Sequence, residues 1–260
     1  MDDGLLEQAI SVAREAGAII LDYYNMEEQA VSLKDDNSPV TDADLASESY
    51  IAAELQRTGF PIVSEECTCD RRIRCSWGQF WLVDPLDGTR DFISRNGEFT
   101  VNIAFIKDGS PILGVIYAPA IDTLYYAQKG KGSFLVKEGI YKKLPISRTD
   151  VKVVTISRQH LAETGKKFLA MNNIKDFMQK GSSLKFGILA EGGATLYPRF
   201  EGSMEWDIAA GHIIATEAGC HIVDLKTGQE PVYNKESLFN NPFIAYAPQV
   251  KFSELQFPEY

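Results

Sequence analysis

Two aspartates three residues apart, in Asp84-Pro85-Leu86-Asp87-Gly88-Thr89, are the side chains of this sequence best suited to chemistry. They follow the apolar run Phe80-Trp81-Leu82-Val83, so a buried strand ends on a carboxylate. Pro fixes φ near about −65° and Gly tolerates positive φ. The chain is therefore expected to leave the strand at Asp84 and turn at Pro85 and Gly88, aiming both carboxylates and the Leu86 carbonyl at one point. An ordinary Asp-Gly turn uses the same residues, so the hexapeptide alone does not decide.

Further acids sit at comparable places. Glu65-Glu66 end the short apolar run 61–64, and Asp207 stands near the start of the helical stretch WDIAAGHIIATEAG. Gathered carboxylates repel one another unless protons or cations intervene. A site made only of oxygens suits a hard divalent cation such as Mg²⁺. The start of a helix at Asp207 also presents backbone N–H groups to a phosphate. Gly181-Ser182-Ser183-Leu184-Lys185 offers hydroxyls, a helix start and a cation, suited to a second phosphate or a ribose, and equally to a plain Ser N-cap with a solvated Lys. Asp44, read locally, is a first-turn helix acid.

Elements of both kinds are needed to position these groups. Apolar residues at Leu6, Ala9, Ile10, Ala13, Ala16, Ile20 and Tyr23 follow the helical period and predict a first helix. A second helix is expected over 41–57, with Thr41 as N-cap and Asp42 and Asp44 in its first turn. Short buried strands are expected at 61–64 and 80–83, then three β-rich runs over 98–130 forming an antiparallel meander. The basic, glycine-punctuated stretch 129–148 reads as a connection between an N-terminal α+β lobe of about residues 1–130 and a C-terminal α/β lobe of about 150–260. The second half alternates: strand 151–156, helix 161–171, a helix after Ser183, strand 195–198, helix 206–219 closed by Gly219, and strand 221–224. Layers of helix and mixed sheet fit this order better than a bundle or barrel.

Bulk properties narrow the function. With 260 residues, 45% of them hydrophobic, the chain can bury a large core. A formal charge of −10 argues against a nucleic-acid-coating surface, which needs clustered Lys and Arg. An anionic small molecule remains open, because a bound cation reverses the local sign. No signal peptide and no apolar run of membrane-spanning length stand out. Cys67, Cys69 and Cys75 lie in ECTCDRRIRC without Cys-x-x-Cys pairs or a nearby His, and the fourth cysteine is Cys220, which favours reduced thiols over zinc and, together with the missing signal peptide, a reducing cytoplasm. His212 lies five residues after Asp207, well off its face of the helix, and reads as structural.

Taken together, "SEE", "WLVDPLDGT" and "WDIAAG", in that order, resemble the inositol monophosphatase-like superfamily of Mg²⁺-dependent, lithium-sensitive phosphatases. Within it, "DNSPVTDAD", "DPLDGTRDFISRNGEFTVNIA", "ILGVIYAPA", "ISRQH", "GSSLKFGILAEG", "LYPRF" and "WDIAAGH" look like the 3'(2'),5'-bisphosphate nucleotidases, over about residues 5–242.

The resemblance implies a layered αβαβα sandwich of two closely packed lobes and two or three Mg²⁺ ions. It implies that Glu65, Asp84, the Leu86 carbonyl, Asp87 and Asp207 hold metal, with Glu66 as an accessory acid. Asp44 and Thr89, with Glu65, would orient and deprotonate the attacking water. Asp87, Gly88, Thr89 and Asp207 would also meet the substrate, and Ser182, Lys185, Arg199 and His160 would lie on the nucleotide side. The implied substrate is adenosine 3',5'-bisphosphate, giving AMP and phosphate, with 3'-phosphoadenosine 5'-phosphosulfate as a second. An inositol or sugar phosphatase is the alternative of the same chemistry, and a silent metal-binding regulatory protein the alternative of another class. A monomer or homodimer in the cytoplasm, at most peripheral at the inner face of the membrane, is expected. Where many relatives continue "SEE" with another acid, this sequence has Cys67-Thr68-Cys69, read as a mobile flap whose oxidation would alter activity.

Overall fold

A strand buried on both faces must alternate its side chains between two cores, and residues 80–83 do so. Phe80 and Leu82 enter one hydrophobic cluster, Trp81 and Val83 another. The computed structural model describes residues 3–26, 31–33, 39–148, 151–158 and 163–259.

In chain order the elements are α1 (Asp3–Tyr24), β1 (Val31–Leu33), β2 (Pro39–Thr41), α2 (Asp42–Gln56), β3 (Ile62–Ser64), α3 (Arg71–Arg74), β4 (Gln79–Asp87), α4 (Thr89–Ile93), β5 (Thr100–Lys107), β6 (Ser110–Ala118), β7 (Thr123–Gln128), β8 (Gly132–Lys137) and β9 (Ile140–Lys143). There follow β10 (Val153–Ser157), α5 (Glu163–Met171), β11 (Asp176–Lys180), α6 (Leu184–Glu191), β12 (Leu196–Arg199), α7 (Glu205–Glu217), β13 (His221–Asp224) and β14 (Phe243–Tyr246).

One sheet has seven strands in the order β3-β4-β5-β6-β7-β8-β9, with β3 parallel to β4 and antiparallel pairing beyond. The other has five, in the order β11-β10-β12-β14-β13. Ala9, Ala13, Ala16 and Ile20 of α1 and Ile51 and Leu55 of α2 pack on Trp81, Val83, Val101 and Val115 of the first sheet. On its other face, Phe186 and Leu189 of α6 and Ile208, Ile213 and Ile214 of α7 fill the space to Ile222, Phe243 and Ala245 of the second sheet. Phe168 and Leu169 of α5 cover that sheet's far side against Val154, Leu196 and Ile244. The layers run α, β, α, β, α, as the family resemblance implies. Phe80, Phe105 and Phe186 are essentially inaccessible to water, each contributing about 1.5–3 kcal/mol by burial. The central contact is close: a Cβ on Gly114 of β6 would lie 2.5 Å from Ile213 Cγ2 and 2.8 Å from the Ala210 carbonyl.

Three expectations change. The strand does not end at Asp84: β4 continues to Asp87, with an irregularity in its pairing to β5 between Asp84 and Asp87, and the turn comes only at Gly88. Stretch 129–148 is not merely a connection, because β8 and β9 extend the first sheet to Lys143. The flap after Glu65 is tied at both ends. Ser64 and Cys67 exchange backbone hydrogen bonds of 3.3 Å, and the Arg74 guanidinium donates to Asn234 Oδ1 (2.8 Å) and to the carbonyls of Lys235 (2.6 Å) and Glu236 (2.9 Å). The start of "DNSPVTDAD" (36–38), residues 161–162 of the expected helix, and His160 lie outside the described residues.

Candidate active site

Asp44 and Asp207 occupy the same local position, the third residue of a helix, and each reaches back over its helix start. Asp44 Oδ2 accepts from the Thr41 backbone N–H (2.8 Å) and hydroxyl (2.5 Å), and Asp207 Oδ2 accepts from the Met204 N–H (2.8 Å). A carboxylate has a second oxygen. That of Asp44, Oδ1, accepts from the Thr89 hydroxyl at 3.0 Å, which joins α2 to the first residue of α4. Thr89 Oγ1 also lies 3.4 Å from the Leu86 carbonyl oxygen.

The acidic turn is braced on several sides. The Ser47 hydroxyl donates to the Pro85 carbonyl (2.8 Å), and the Leu86 N–H donates to Asp84 Oδ1 (3.1 Å). Gly88 has φ of 91°, in the left-handed region, and a Cβ there would press at 3.2 Å on both the Glu98 carbonyl and Ser182 Cβ. Asp87 Oδ2 accepts from the Ser183 backbone N–H (2.6 Å) and from Asn102 Nδ2 (3.3 Å).

Glu65, Asp84 and Asp207 each bring one carboxylate oxygen within 4.8 Å of the others. Among the described residues this is the group of acids, His and Cys that could hold a metal ion. It joins the end of β3, the middle of β4 and the first turn of α7. Glu66, Asp87 and the Leu86 carbonyl are outside that triad. Asp87 is nonetheless close enough for its charge to act on Asp84 and Asp207. Burial, reinforced by Glu65, Asp87, Asp207 and Asp44, pushes the Asp84 carboxyl well above its ordinary range. Burial and the Asp87 charge push Asp207 up to about 8. Burial also raises Asp44, against the hydrogen bonds from Thr41 and Thr89. Burial and mutual repulsion outweigh the nearby Lys185 and Arg199 charges, so these carboxylates call for further positive charge, and an all-oxygen donor set supplies the ligands of a hard divalent cation. The residues fit such an ion.

Two cations share the cleft with the acids. Lys185, nearly inaccessible, donates to the Lys180 carbonyl (3.3 Å) and to the Ser182 carbonyl, and lies 5.5 Å from the centre of the Tyr197 ring. Burial pulls its pKa down to about 8, against the pull of Asp87. Arg199 Nη2 donates to the Gly202 carbonyl (3.0 Å), and its Nε is buried without a hydrogen-bond partner. Ser182 Oγ and Ser183 Oγ meet Thr100 Oγ1 at 2.7 and 2.8 Å. Glu65, Asp84, Leu86, Asp87, Gly88, Thr89, Ser182, Lys185, Arg199 and Asp207 all line one cleft of about 480 Å³.

Asn102 and Thr100 belong to this site without a role assigned from sequence, as does Tyr197 of "LYPRF". The pairing of β4 with β5 sets Asn102 opposite Asp84 and Thr100 opposite Asp87. The polar positions in "EFTVNIA" were the available signal. His212 is structural as expected: buried on α7, with Nδ1 2.9 Å from the Tyr233 hydroxyl. All four cysteines are free, with Cys67 and Cys75 exposed. No helix among the described residues is long and apolar enough to cross a membrane.

Similarity to known proteins covers the whole of this arrangement. A 3'(2'),5'-bisphosphate nucleotidase CysQ of Salmonella typhimurium is 42% identical over 241 residues, 92% of this chain and 97% of that protein. CysQ of Buchnera aphidicola is 42% identical over 249 residues, 94% of each. The crystal structure of CysQ from Bacteroides thetaiotaomicron, described as a bacterial member of the inositol monophosphatase family, superposes with a TM-score of 0.85 at 38% identity, covering 95% of this chain and 98% of that one. The inositol monophosphatase family matches residues 1–253. With the fold, the acidic triad and the matched length in agreement, this chain belongs to the inositol monophosphatase family.

Proposed function

We propose that the protein is a Mg²⁺-dependent 3'(2'),5'-bisphosphate nucleotidase that hydrolyses the 3'-phosphate of adenosine 3',5'-bisphosphate to AMP and phosphate, and accepts 3'-phosphoadenosine 5'-phosphosulfate as a second substrate. One observation carries the reading beyond the relatives' names: a single cleft holds both the Glu65-Asp84-Asp207 triad and two protein cations, Lys185 and Arg199, whose Nε has no partner. A substrate with two phosphates needs both ends, since one phosphate takes metal charge and the other needs a protein cation.

Glu65, Asp84 and Asp207 would hold Mg²⁺, with Asp87 and the Leu86 carbonyl completing the donor set for two or three ions. When bound, the metal lowers the pKa of a water, polarises the phosphate and stabilises the leaving oxygen. Thr89 and Asp44 would orient and deprotonate the attacking water. The Thr89 hydroxyl, its proton directed to Asp44 Oδ1, has lone pairs left to orient the nucleophile, and Asp44 is the terminal proton acceptor. Asp87, Gly88, Thr89 and Asp207, which line the cleft, would meet the departing phosphate. Lys185, Arg199 and the Ser182 hydroxyl receive the second phosphate or the ribose.

The test is phosphate release from adenosine 3',5'-bisphosphate and from inositol 1-phosphate side by side, with Mg²⁺, with EDTA and with added Li⁺. Mg²⁺-dependent, Li⁺-inhibited release from the nucleotide is expected. Preference for inositol 1-phosphate would replace the nucleotide assignment, and no release from either would leave a silent metal-binding protein.

A further inference from the structure

Glu98 is nine-tenths buried immediately before β5, yet it does not line the cleft. Both of its oxygens are doubly used. Oε1 accepts from Arg158 Nη2 (2.7 Å) and Lys180 Nζ (3.0 Å), and Oε2 accepts from Arg158 Nε (2.8 Å) and the Gly181 backbone N–H (2.7 Å). All its donors come from the second sheet: Arg158 follows β10, Lys180 ends β11, and Gly181 is the next residue. One carboxylate of the seven-stranded side thus grips the chain where it leaves the five-stranded sheet.

That gripped segment touches both halves of the site. The Ser183 N–H holds Asp87 Oδ2, while the carbonyls of Lys180 and Ser182 hold the Lys185 ammonium. The fit is tight. A Cβ on Gly181 would lie 2.6 Å from the Glu98 carbonyl oxygen and 2.7 Å from Asp91 Oδ2, and Ser182 is kept at φ of 49°, a region L side chains rarely adopt.

We propose that Glu98 is a positioning residue: with Arg158 and Lys180 it clamps residues 180–183 across the two sheets, so that Asp87 is aimed at the metal and Lys185 at the second phosphate. This rests on the bisphosphate phosphatase reading. An ion pair kept only for stability would be a poor use of these partners, because the Arg158 and Lys180 side chains are 43% and 39% exposed and water screens such pairs. Burial alone would raise the Glu98 carboxyl, but the bonds from Arg158, the Gly181 N–H and Lys180 hold it at about 2. The clamp is therefore charged throughout the neutral range.

The experiment compares the wild-type protein with Glu98→Gln, Arg158→Met, Lys180→Met and the Glu98→Gln/Arg158→Met double variant. Three quantities are read: the Mg²⁺ dissociation constant by calorimetry, KM for adenosine 3',5'-bisphosphate, and Tm. Glu98→Gln should weaken Mg²⁺ binding and raise KM by about 10-fold each, as loss of a partner that orients a ligand does. The double variant should be no worse than Glu98→Gln, because both changes open one clamp. Unchanged Mg²⁺ affinity and KM, with or without a fall in kcat, would reduce Glu98 to a structural role and overturn the proposal. If Glu98→Gln does not fold, the partly exposed Arg158→Met and Lys180→Met decide: a shift of about 3-fold or more in both constants supports the clamp, and none overturns it. If wild type releases no phosphate from the nucleotide, the functional reading fails, and Mg²⁺ calorimetry alone still decides the clamp.

Discussion

The Thr89 hydroxyl points its proton at Asp44 Oδ1 across 3.0 Å, while the other oxygen of the same carboxylate caps α2 through Thr41. Cap and proton acceptor are therefore one side chain, and the cap fixes the direction of the acceptor. Asp44→Asn separates the two roles, since an amide oxygen can still accept from Thr41 while its NH₂ cannot take a proton. The variant should keep its fold and lose about 10²–10⁴-fold in kcat with KM little changed. Thr89→Ala should lose a similar amount and Thr89→Ser should keep most of the rate. A near-normal kcat in Asp44→Asn would leave Asp44 as a helix cap only.

Asp84 tests the cost of assembling like charges. Its carboxyl is raised by burial and then by Glu65, Asp87, Asp207 and Asp44, so without metal it strains the fold. Asp84→Asn keeps an oxygen for the Leu86 N–H. In EDTA at neutral pH its Tm should equal or exceed that of wild type by up to about 5 °C. Added Mg²⁺ should raise the wild-type Tm and barely move the variant, which should release no phosphate. A variant stabilised by Mg²⁺ as much as wild type would remove Asp84 from the metal site. Asp87→Asn should likewise be folded and inactive.

Arg199 separates the two phosphates. Replacing it by Met deprives the second phosphate of a charge-assisted bond, so KM for adenosine 3',5'-bisphosphate should rise by about 10- to 100-fold. Turnover of adenosine 3'-monophosphate should fall much less, because that substrate has no second phosphate for Arg199 to meet and loses only the pull of Arg199 on Asp207. Equal losses on both substrates would show that Arg199 acts on the fold of the cleft and not on the second phosphate.

His212 sets a pH limit on stability. Burial pulls its pKa down to about 4 from an ordinary 6.5, and the exposed Glu230 carboxylate 3.9 Å from Nε2 does not restore it. Between those values the folded state binds fewer protons than the unfolded chain. The contribution is therefore complete above about pH 6.5 and is lost as pH falls through about 4, amounting to about 3 kcal/mol. In His212→Gln this loss is absent, so the wild-type Tm should fall relative to the variant as pH is lowered from about 7 to 4.5. A Tm difference independent of pH would show that His212 does not carry this term.

Helical elements were the more legible part of the fold. The period in α1, the Thr41 cap of α2 and the closure of α7 near Gly219 each leave a local mark, because helix hydrogen bonds and caps join residues three or four apart. Strands β8, β9, β11 and β14 left less. β9 and β11 are edge strands, mostly exposed, without a buried face to impose alternation. β14 is four residues long and owes its place to pairing with β12 and β13, each remote in sequence.

The types of the site residues and the family were set by sequence alone, since an acid after a buried strand, an acid in a first helical turn and a glycine before α4 are local choices. Their meeting was not. Glu65, Asp84 and Asp207 come from three elements, and only the parallel pairing of β3 with β4 and the packing of α7 on the first sheet bring their oxygens within 4.8 Å. The strand irregularity between Asp84 and Asp87 and the Ser183 N–H on Asp87 decide where these carboxylates point. Glu98 shows the limit most clearly. In the sequence it is one acid in "RNGEFT", and its role depends on Arg158, Lys180 and Gly181, at least sixty residues away, which only chain closure across two sheets can deliver.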